Sequence, residues 1–376
     1  DYDAAGIFVL NEGQVYPRHG HAGSLIAGIA MRGFDKQPVE ADAMLMEGKG
    51  VIGHVIRTGL STVIPDVRLD PHYVPGRLRT RSEITVPIMQ KERAVGALNL
   101  ESDRVGAFDE HELETLRFFA EAASIAISRA MLHHQLLVKE RIEEQLRIAQ
   151  MVQGRLLPAV SPLVSGYDVF GICIPALDLG GDYYDWLELS QKALGVVVAD
   201  VAGKGVPAAL IMSVFRTLLR VLAQGDLPLS ELMSVMNRHL QEPTGSSSFV
   251  TVVYGVLKPE TGIFEYVNCG HSYPLLLRAD GRVELLESAG LFLGIFEEVE
   301  SRSKRVVLEP GDLLVLYTDG VVEAQNDGED LFGMERLESI VRETRHLPVA
   351  EMVHRILEAV QAFHGKEHLG DDLTLM

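Results

Sequence analysis

The sequence has few cysteines, no long uncharged apolar run and a shortage of positive charge. Its two cysteines, Cys173 and Cys269, belong to no CxxC or Cys/His cluster, which excludes a disulfide framework and a cysteine zinc site and favours a reducing cytoplasm. The most apolar helical segment, 206–222, is interrupted by Arg216 and Arg220. No membrane-spanning helix is therefore predicted.

The net charge of the chain limits the kinds of macromolecule that it can bind. Lys and Arg number 34 against 53 Asp and Glu, so the formal net charge is −19, and this excess repels nucleic-acid phosphates and anionic lipid surfaces. With 376 residues, 47% hydrophobic and 23% charged, we expect two globular domains and a linker. The chain opens at Asp1 rather than Met and runs straight into a strand pattern, so we expect the first domain to be incomplete at its N-terminus.

The first hundred residues show short β-rich runs separated by glycine and charged turns. The segments 84–89 and 94–100, joined by polar residues, predict a hairpin. Asp109 then suits a helix N-cap. The apolar residues that follow at helical spacing predict the buried face of that helix; they are Leu113, Leu116, Phe119, Ala120, Ala123 and Ile127.

The helical pattern continues to Leu157, where Pro158 ends it. Steps of four and three predict a coiled-coil seam, made of Ile142, Leu146, Ala149, Gln153 and Leu156. Because Gln153 interrupts that seam, a linker helix packed on its own domain is the equal alternative. We expect a sensor-like domain at 1–130, a helical linker at 131–160 and a second domain at 161–376.

In the last 220 residues or so, strands alternate with a few helices, a pattern that predicts a layered α/β sandwich. Acidic residues follow its apolar strands at four places, each beside glycine or a second aspartate: Asp182, Asp200, Asp319 and the pair Asp371 and Asp372. Carboxylates fixed at strand ends, with room for backbone carbonyls and water, are ligands that Mg²⁺ and Mn²⁺ prefer. Any one of them taken alone is as well explained as a turn residue, but four together point to a metal cluster that acts on a phosphate ester.

These motifs resemble one known family. LGGDYYDW, VADVAGKGVPAAL, YVNCGHSYPLLL, LEPGDLLVLYTDGVVEAQN and GDDLTL are similar, in this order, to the PPM (type 2C-like) serine/threonine phosphatases of the SpoIIE/RsbU branch. The resemblance implies an αββα sandwich and two Mn²⁺ or Mg²⁺ ions. It places the catalytic, metal-ligating carboxylates at Asp182, Asp200, Asp319 and Asp371, with the Val201 carbonyl as a further ligand and Asp372 as an additional candidate.

The residues around these motifs leave some roles open. Lys204, in GKG, is either a phosphate contact or a solvated charge at a helix start. His271, in CGHS, is either a general acid or a histidine of a turn or core. Asp185 is expected to be structural or to orient the ligands. A phosphate-binding loop fails because no glycine precedes Lys204 at the required spacing, and a diguanylate cyclase fails because Tyr183 and Tyr184 follow GGD.

The N-terminal part resembles a GAF domain, through GKGVIGHVIRTGLSTVIPDVRLDPHY and SEITVPIMQKERAVGALNLESDRVGAFDEHE. This implies a fold that binds a small-molecule or protein signal. The expected fold class is thus α+β multidomain: a GAF-like sensor domain, a long helical linker and an αββα-sandwich PPM phosphatase domain. The family further implies that the substrate is a phosphorylated STAS-domain anti-sigma-factor antagonist. From the cysteine usage we expect a cytoplasmic protein, and from the coiled-coil seam a homodimer. The alternative is a catalytically silent scaffold that binds a phosphoprotein.

Overall fold

A computed structural model describes residues 2–10, 26–34, 50–244, 248–287, 290–365 and 369–376. The chain divides into two units, residues 1–141 and 142–376, and each is described by itself. Among the described residues, none of the helices combines the length and the apolar character that a bilayer span requires.

The first unit is built on a five-stranded sheet with the strand order β2-β1-β5-β4-β3. Its strands are β1 (Ala4–Leu10), β2 (Ile26–Arg32), β3 (Thr62–Ile64), β4 (Ser82–Gln90) and β5 (Arg93–Ser102). Strands β4 and β5 pair antiparallel, which confirms the predicted hairpin. Helix α1 (Gly50–Thr58) covers one face, where Ile56 packs with Phe8 and Ala97. The other face packs against a second helix.

That second helix is α2 (Glu110–Gly154), and its start shows the predicted cap. The Asp109 carboxylate accepts the N–H groups of His111 and Glu112 at 2.7 and 3.3 Å, while the Asp109 N–H donates to the Glu112 carboxylate at 3.0 Å. This reciprocal pair satisfies donors that the first helical turn leaves free. Leu113 is buried as predicted, but Phe119 is 58% exposed. The prediction for Phe119 was wrong because the neighbouring Ala120 takes the place on the buried face.

The second unit contains two sheets packed face to face. One has the order β13-β10-β9-β8-β7. The other is made of β12-β11-β14 and β15-β6, joined by a bridge between Tyr317 and Leu375. The strands are β6 (Ile172–Ile174), β7 (Tyr183–Glu188), β8 (Leu194–Val201), β9 (Val250–Lys258), β10 (Ile263–Cys269), β11 (Leu275–Leu277), β12 (Val283–Leu285), β13 (Lys304–Val307), β14 (Leu313–Val315) and β15 (Leu373–Leu375).

Helices cover both outer faces of this pair of sheets. They are α3 (Val206–Leu222), α4 (Leu229–Thr244), α5 (Asp319–Val322), α6 (Gly333–Thr344) and α7 (Val349–His364). Helices α3 and α4 pack on the first sheet, α6 and α7 pack on the second, and a third apolar cluster fills the space between the sheets. The predicted αββα sandwich is confirmed, and the strand-end aspartates lie at one end of it.

Candidate functional site

Asp182 is the most buried of the predicted ligand carboxylates, at 2% exposure, and stands directly before β7. One of its oxygens, Oδ2, accepts the hydroxyls of Thr318 at 2.8 Å and Thr374 at 2.6 Å. The other oxygen, Oδ1, is buried without a hydrogen-bond donor. A buried acceptor that lacks a donor is costly, so the two threonines orient a carboxylate whose second oxygen is free to bind a ligand.

Asp200 and Val201 end β8, next to the loop that carries Asp182. The backbone carbonyl of Val201 is so close to Gly181 that a Cβ at Gly181 would lie 2.6 Å from the carbonyl oxygen. Only glycine fits such an approach. The sequence LGGD therefore brings the Asp182 loop down onto the carbonyl that the family resemblance gives as a metal ligand.

The aspartates raise one another's pKa, as expected of like charges held together in a buried place. Burial, followed by the charges of Asp319, Asp371 and Asp372, raises the pKa of Asp200 to about 7. Burial and the charge of Asp200 raise the pKa of Asp182 well above its usual range. Burial and the charge of Asp371 raise the pKa of Asp319, which begins α5. The structure thus brings these carboxylates to one place.

Asp372 differs from the others because both of its oxygens are occupied. Oδ1 accepts the N–H of Ala176 at 2.8 Å, and Oδ2 accepts the N–H groups of Gly181 at 2.6 Å and Asp182 at 3.4 Å. A Cβ at Gly180 would lie 2.4 Å from Oδ2. These contacts shape the loop that leads to Asp182 and leave Asp372 little capacity to bind a cation directly.

The donor set suits hard divalent cations. The free Oδ1 of Asp182, the Val201 carbonyl and three more carboxylates are all oxygen donors, and repulsion among the carboxylates is relieved by positive charge. No three His, Cys, Asp or Glu side chains in the described ranges converge tightly enough to complete a metal site by themselves. Water and the backbone carbonyl would have to complete the coordination, as is usual for Mg²⁺.

Lys204 lies at the edge of this cluster, in the loop between β8 and α3. Its Nζ is 3.0 Å from a carboxylate oxygen of Asp371 and donates to the Gly370 carbonyl at 2.5 Å. The ammonium group remains partly exposed, and its charge lowers the pKa of Asp319. A phosphate dianion at the cluster would therefore find a partly exposed cation at its side.

Two other residues are placed differently from what a catalytic role requires. The buried Asp185 accepts two hydrogen bonds from Arg220 on α3, at 2.7 and 2.8 Å, so it joins β7 to that helix. His271 hydrogen-bonds Thr251 through Nδ1 at 2.7 Å, and burial lowers its pKa to about 4. A lowered pKa disfavours the protonated imidazole that a general acid requires.

The sequence did not single out Thr318 or Thr374. Both are completely buried, and Thr318 also accepts the Thr374 N–H at 2.9 Å, so they form one unit around Asp182. Thr318 directly precedes Asp319 in YTDG, and Thr374 stands three residues after Asp371 in DDLTL. A threonine on the inward side of a ligand-bearing strand end was the only available signal.

Comparisons with known proteins agree with this geometry. Residues 190–376 match the family profile described as Stage II sporulation protein E (SpoIIE), and residues 1–127 match the GAF domain profile. The first match begins after Asp182, so the proposal that Asp182 is a ligand depends on the structure and the sequence motif alone.

Individual proteins that are similar to this chain include phosphatases. The phosphoserine phosphatase RsbU of Bacillus subtilis is 29% identical over 67% of this chain and 75% of its own length. The phosphoserine phosphatase RsbP of the same organism is 26% identical over 62% of this chain and 57% of its own length. The solved PP2C domain of SiaA from Pseudomonas aeruginosa shares the fold of the second unit, with a TM-score of 0.57 at 20% identity over 63% of this chain and 96% of the SiaA domain.

Proposed function

The chain joins an N-terminal GAF domain to a PPM phosphatase domain of the SpoIIE family, and on that premise we propose that it is a metal-dependent phosphoserine/phosphothreonine phosphatase under GAF control. The observation that carries the proposal is the arrangement around Asp182. Two threonine hydroxyls hold one carboxylate oxygen, and the second faces a cluster of further carboxylates without a donor.

The residues that would hold two Mn²⁺ or Mg²⁺ ions are Asp182, Asp200, Asp319 and Asp371, with the Val201 carbonyl. Bound divalent cations supply Lewis-acid neutralisation of a phosphate ester and lower the pKa of water. We assign Asp372 to positioning, because its oxygens accept amides of the loop before Asp182.

The protein's own groups prepare the site for a phosphate. Thr318 and Thr374 fix the rotamer of Asp182, so its free oxygen does not need to reorganise when a cation arrives. Lys204, partly exposed beside Asp371, can turn from that carboxylate to a phosphate oxygen of the substrate. We therefore propose that Lys204 orients the phosphoryl group.

The decisive experiment measures hydrolysis of p-nitrophenyl phosphate and of a serine-phosphorylated peptide, with and without Mn²⁺. Asp200→Asn and Asp319→Asn should each abolish activity that depends on Mn²⁺. Asp226→Asn is the matched control, because Asp226 is exposed in the turn that follows α3, about 25 Å along that helix from its start near the site.

The outcomes separate an enzyme from a scaffold. Retention of full activity by both cluster variants would refute the site assignment. An inactive wild-type chain that binds no Mn²⁺ in calorimetry would support the catalytically silent scaffold. An inactive chain that still binds Mn²⁺ would mean that the GAF signal is needed for turnover.

The substrate we propose is a phosphorylated STAS-domain anti-sigma-factor antagonist, which would place the protein in partner-switching control of transcription. The support is the similarity to RsbU and RsbP, both named phosphoserine phosphatases. The test compares the phosphorylated antagonist with an unrelated phosphoprotein. Equal kcat/KM for the two would remove this assignment.

We further propose that the end of α2 transmits the GAF signal. The Gln153 side chain donates to the Gly180 carbonyl at 2.6 Å and accepts the Gly180 N–H at 3.3 Å, two residues before Asp182. The residue that interrupts the apolar seam is thus bound to the Asp182 loop. Gln153→Ala should weaken Mn²⁺ binding and lower kcat at least about tenfold, whereas Gln150→Ala, on the exposed side of the same helix, should not.

A homodimer through α2 is part of the same proposal. The seam residue Ile142 is exposed on this helix, and the seam residue Leu146, one turn further along, is only partly buried. Leu146→Asp should convert a dimer to a monomer in light scattering. An unchanged mass would leave α2 as a linker that does not pair.

A further inference from the structure

Three phenylalanines form an aromatic row beside the acidic cluster. The Phe249 and Phe292 rings lie 4.4 Å apart between centroids, and the Phe292 and Phe296 rings lie 5.1 Å apart. Phe296 is 37% exposed, and the neighbouring Leu291 and Ile295 are 48% and 40% exposed. These five residues are called the apolar ridge. Adjacent exposed apolar side chains of this size mark an interaction surface more often than scattered ones do.

The loop that carries the ridge is held firmly by α4. Asn237 accepts the Gly294 N–H at 2.8 Å and donates to the Phe296 carbonyl at 2.9 Å. Thr244 donates to the Gly294 carbonyl at 2.7 Å. Leu293 forms a two-way backbone bridge with Val250, at 2.8 and 2.9 Å, and is fully buried. These hydrogen bonds fix the backbone of the loop, and the exposed side chains of the apolar ridge therefore remain at the surface.

The ridge adjoins the reaction site. The Phe249 carbonyl accepts the Ala202 N–H at 2.8 Å, so Phe249 sits beside the residue that follows Val201. Two residues along β9, Thr251 is the register partner of Asp200. Register partners lie on the same face of a sheet, so Thr251 shares the face of Asp200; Phe249 stands directly before β9, about 7 Å from Thr251 along the chain.

We infer that the apolar ridge docks the protein that carries the phosphorylated residue, through apolar side chains next to that residue and basic side chains around them. This deepens the proposed function and rests on it. When a phosphoserine is bound at the acidic cluster, the rest of the substrate protein must lie against the surface next to the cluster, which includes the apolar ridge. The exposed Glu297, Glu298 and Glu300 border the ridge, so the complementary partner offers an apolar centre with a basic rim.

The test compares three substrates in the full chain: p-nitrophenyl phosphate, a short serine-phosphorylated peptide, and a STAS-domain protein phosphorylated on serine in vitro. The variant is Ile295→Ser combined with Phe296→Ser, since both side chains are exposed and lie outside the buried core. Because buried aromatic anchors dominate interfaces, kcat/KM for the phosphoprotein should fall about 10- to 100-fold. Hydrolysis of p-nitrophenyl phosphate should change less than about twofold, because a small ester does not reach the ridge.

The control is Val160→Ser combined with Leu163→Ser, which replaces two exposed apolar residues in the segment after α2. Unchanged phosphoprotein hydrolysis in the ridge variant would overturn the inference. If the wild-type chain hydrolyses none of the three substrates and binds no Mn²⁺, the proposed function fails; if it hydrolyses none but binds Mn²⁺, the GAF signal is needed for turnover. In either case binding of the phosphoprotein to the ridge variant decides: weaker binding supports docking, and equal binding refutes it. A self-associated wild-type chain that the ridge substitutions dissociate would assign the surface to a second copy instead.

Discussion

Two glutamates face each other across β4 and β5 inside the GAF domain, and replacing one of them isolates a measurable effect on stability. Glu83 and Glu101 are register partners and only 3% and 4% exposed. The hydrogen bonds that Glu83 receives come from the neutral side chains of Thr85, at 2.9 Å, and Asn99. Burial and then the charge of Glu101 raise the pKa of Glu83 from 4.5 to about 8.

At about 1.36 kcal/mol per pKa unit, this difference favours the protonated Glu83 by roughly 5 kcal/mol in the folded domain. Because the pKa is higher in the folded than in the unfolded chain, the folded state binds more protons. The stabilisation is therefore complete below about pH 4.5 and is lost as the pH rises toward 8. Glu83→Gln, which is neutral at every pH, should make the domain about 3–5 kcal/mol more stable than wild type at pH 8 and little different at pH 5.

Hydrogen exchange of the full chain, followed by mass spectrometry and corrected for the intrinsic rate at each pH, measures this effect at the amides of β4 and β5. Tryptophan fluorescence would not report on the stability of the GAF domain, since the single tryptophan, Trp186, lies in the second unit. Protection should fall from pH 5 to pH 8 in wild type and fall less in Glu83→Gln, where the buried Glu101, whose pKa is also raised by burial, still titrates. Glu92→Gln, in the exposed turn between the two strands, should follow wild type. Equal pH profiles for wild type and Glu83→Gln would show that Glu83 does not titrate in this range.

Three further substitutions test contacts of the phosphatase domain. Lys204→Ala should raise KM for p-nitrophenyl phosphate about tenfold by removing a charge-assisted contact, whereas Lys204→Arg should keep KM near the wild-type value. An unchanged KM in Lys204→Ala would mean that Lys204 is only a solvated charge. Arg220→Ala leaves the buried Asp185 unpaired and should lower the free energy of unfolding by about 3–5 kcal/mol, read from urea denaturation by tryptophan fluorescence. Asp372→Asn turns one of the two oxygens that accept backbone amides into a donating NH₂ group and should weaken Mn²⁺ affinity in calorimetry at least about tenfold, whereas equal affinity would contradict a positioning role.

Local signals in the sequence predicted those parts of the fold that local chemistry determines. Asp109 followed by Glu112 is sufficient for a capping box, and two apolar runs around a polar turn are sufficient for the β4–β5 hairpin. The strand-end aspartates were visible because each has glycine or a second aspartate within three residues and stands at the start or the end of a strand-like run. The αββα layers followed from a resemblance, since periodicity alone does not fix which strands become neighbours.

The side chains that hold Asp182 and its loop in place could not be predicted, because they come from distant parts of the chain. Thr318 and Thr374 meet Asp182 across 136 and 192 residues of sequence, and no local pattern reports such a contact. Gln153 appeared only as a defect in an apolar seam, because its partners are backbone atoms of Gly180. Phe119 fitted helical spacing as well as Ala120 did, and only the packing of the sheet selects between them.

The pairing of β6 with β15 has a consequence for the kinetics of unfolding. These strands lie at opposite ends of the phosphatase domain in sequence, yet they are neighbours in the second sheet, and β15 follows directly on Asp371 and Asp372. Closing so long a loop is slow, so the carboxylates that repel one another should meet only after most of the sandwich has formed. Divalent cations should then act after the rate-limiting barrier, prolonging the lifetime of the folded domain while leaving its folding rate nearly unchanged.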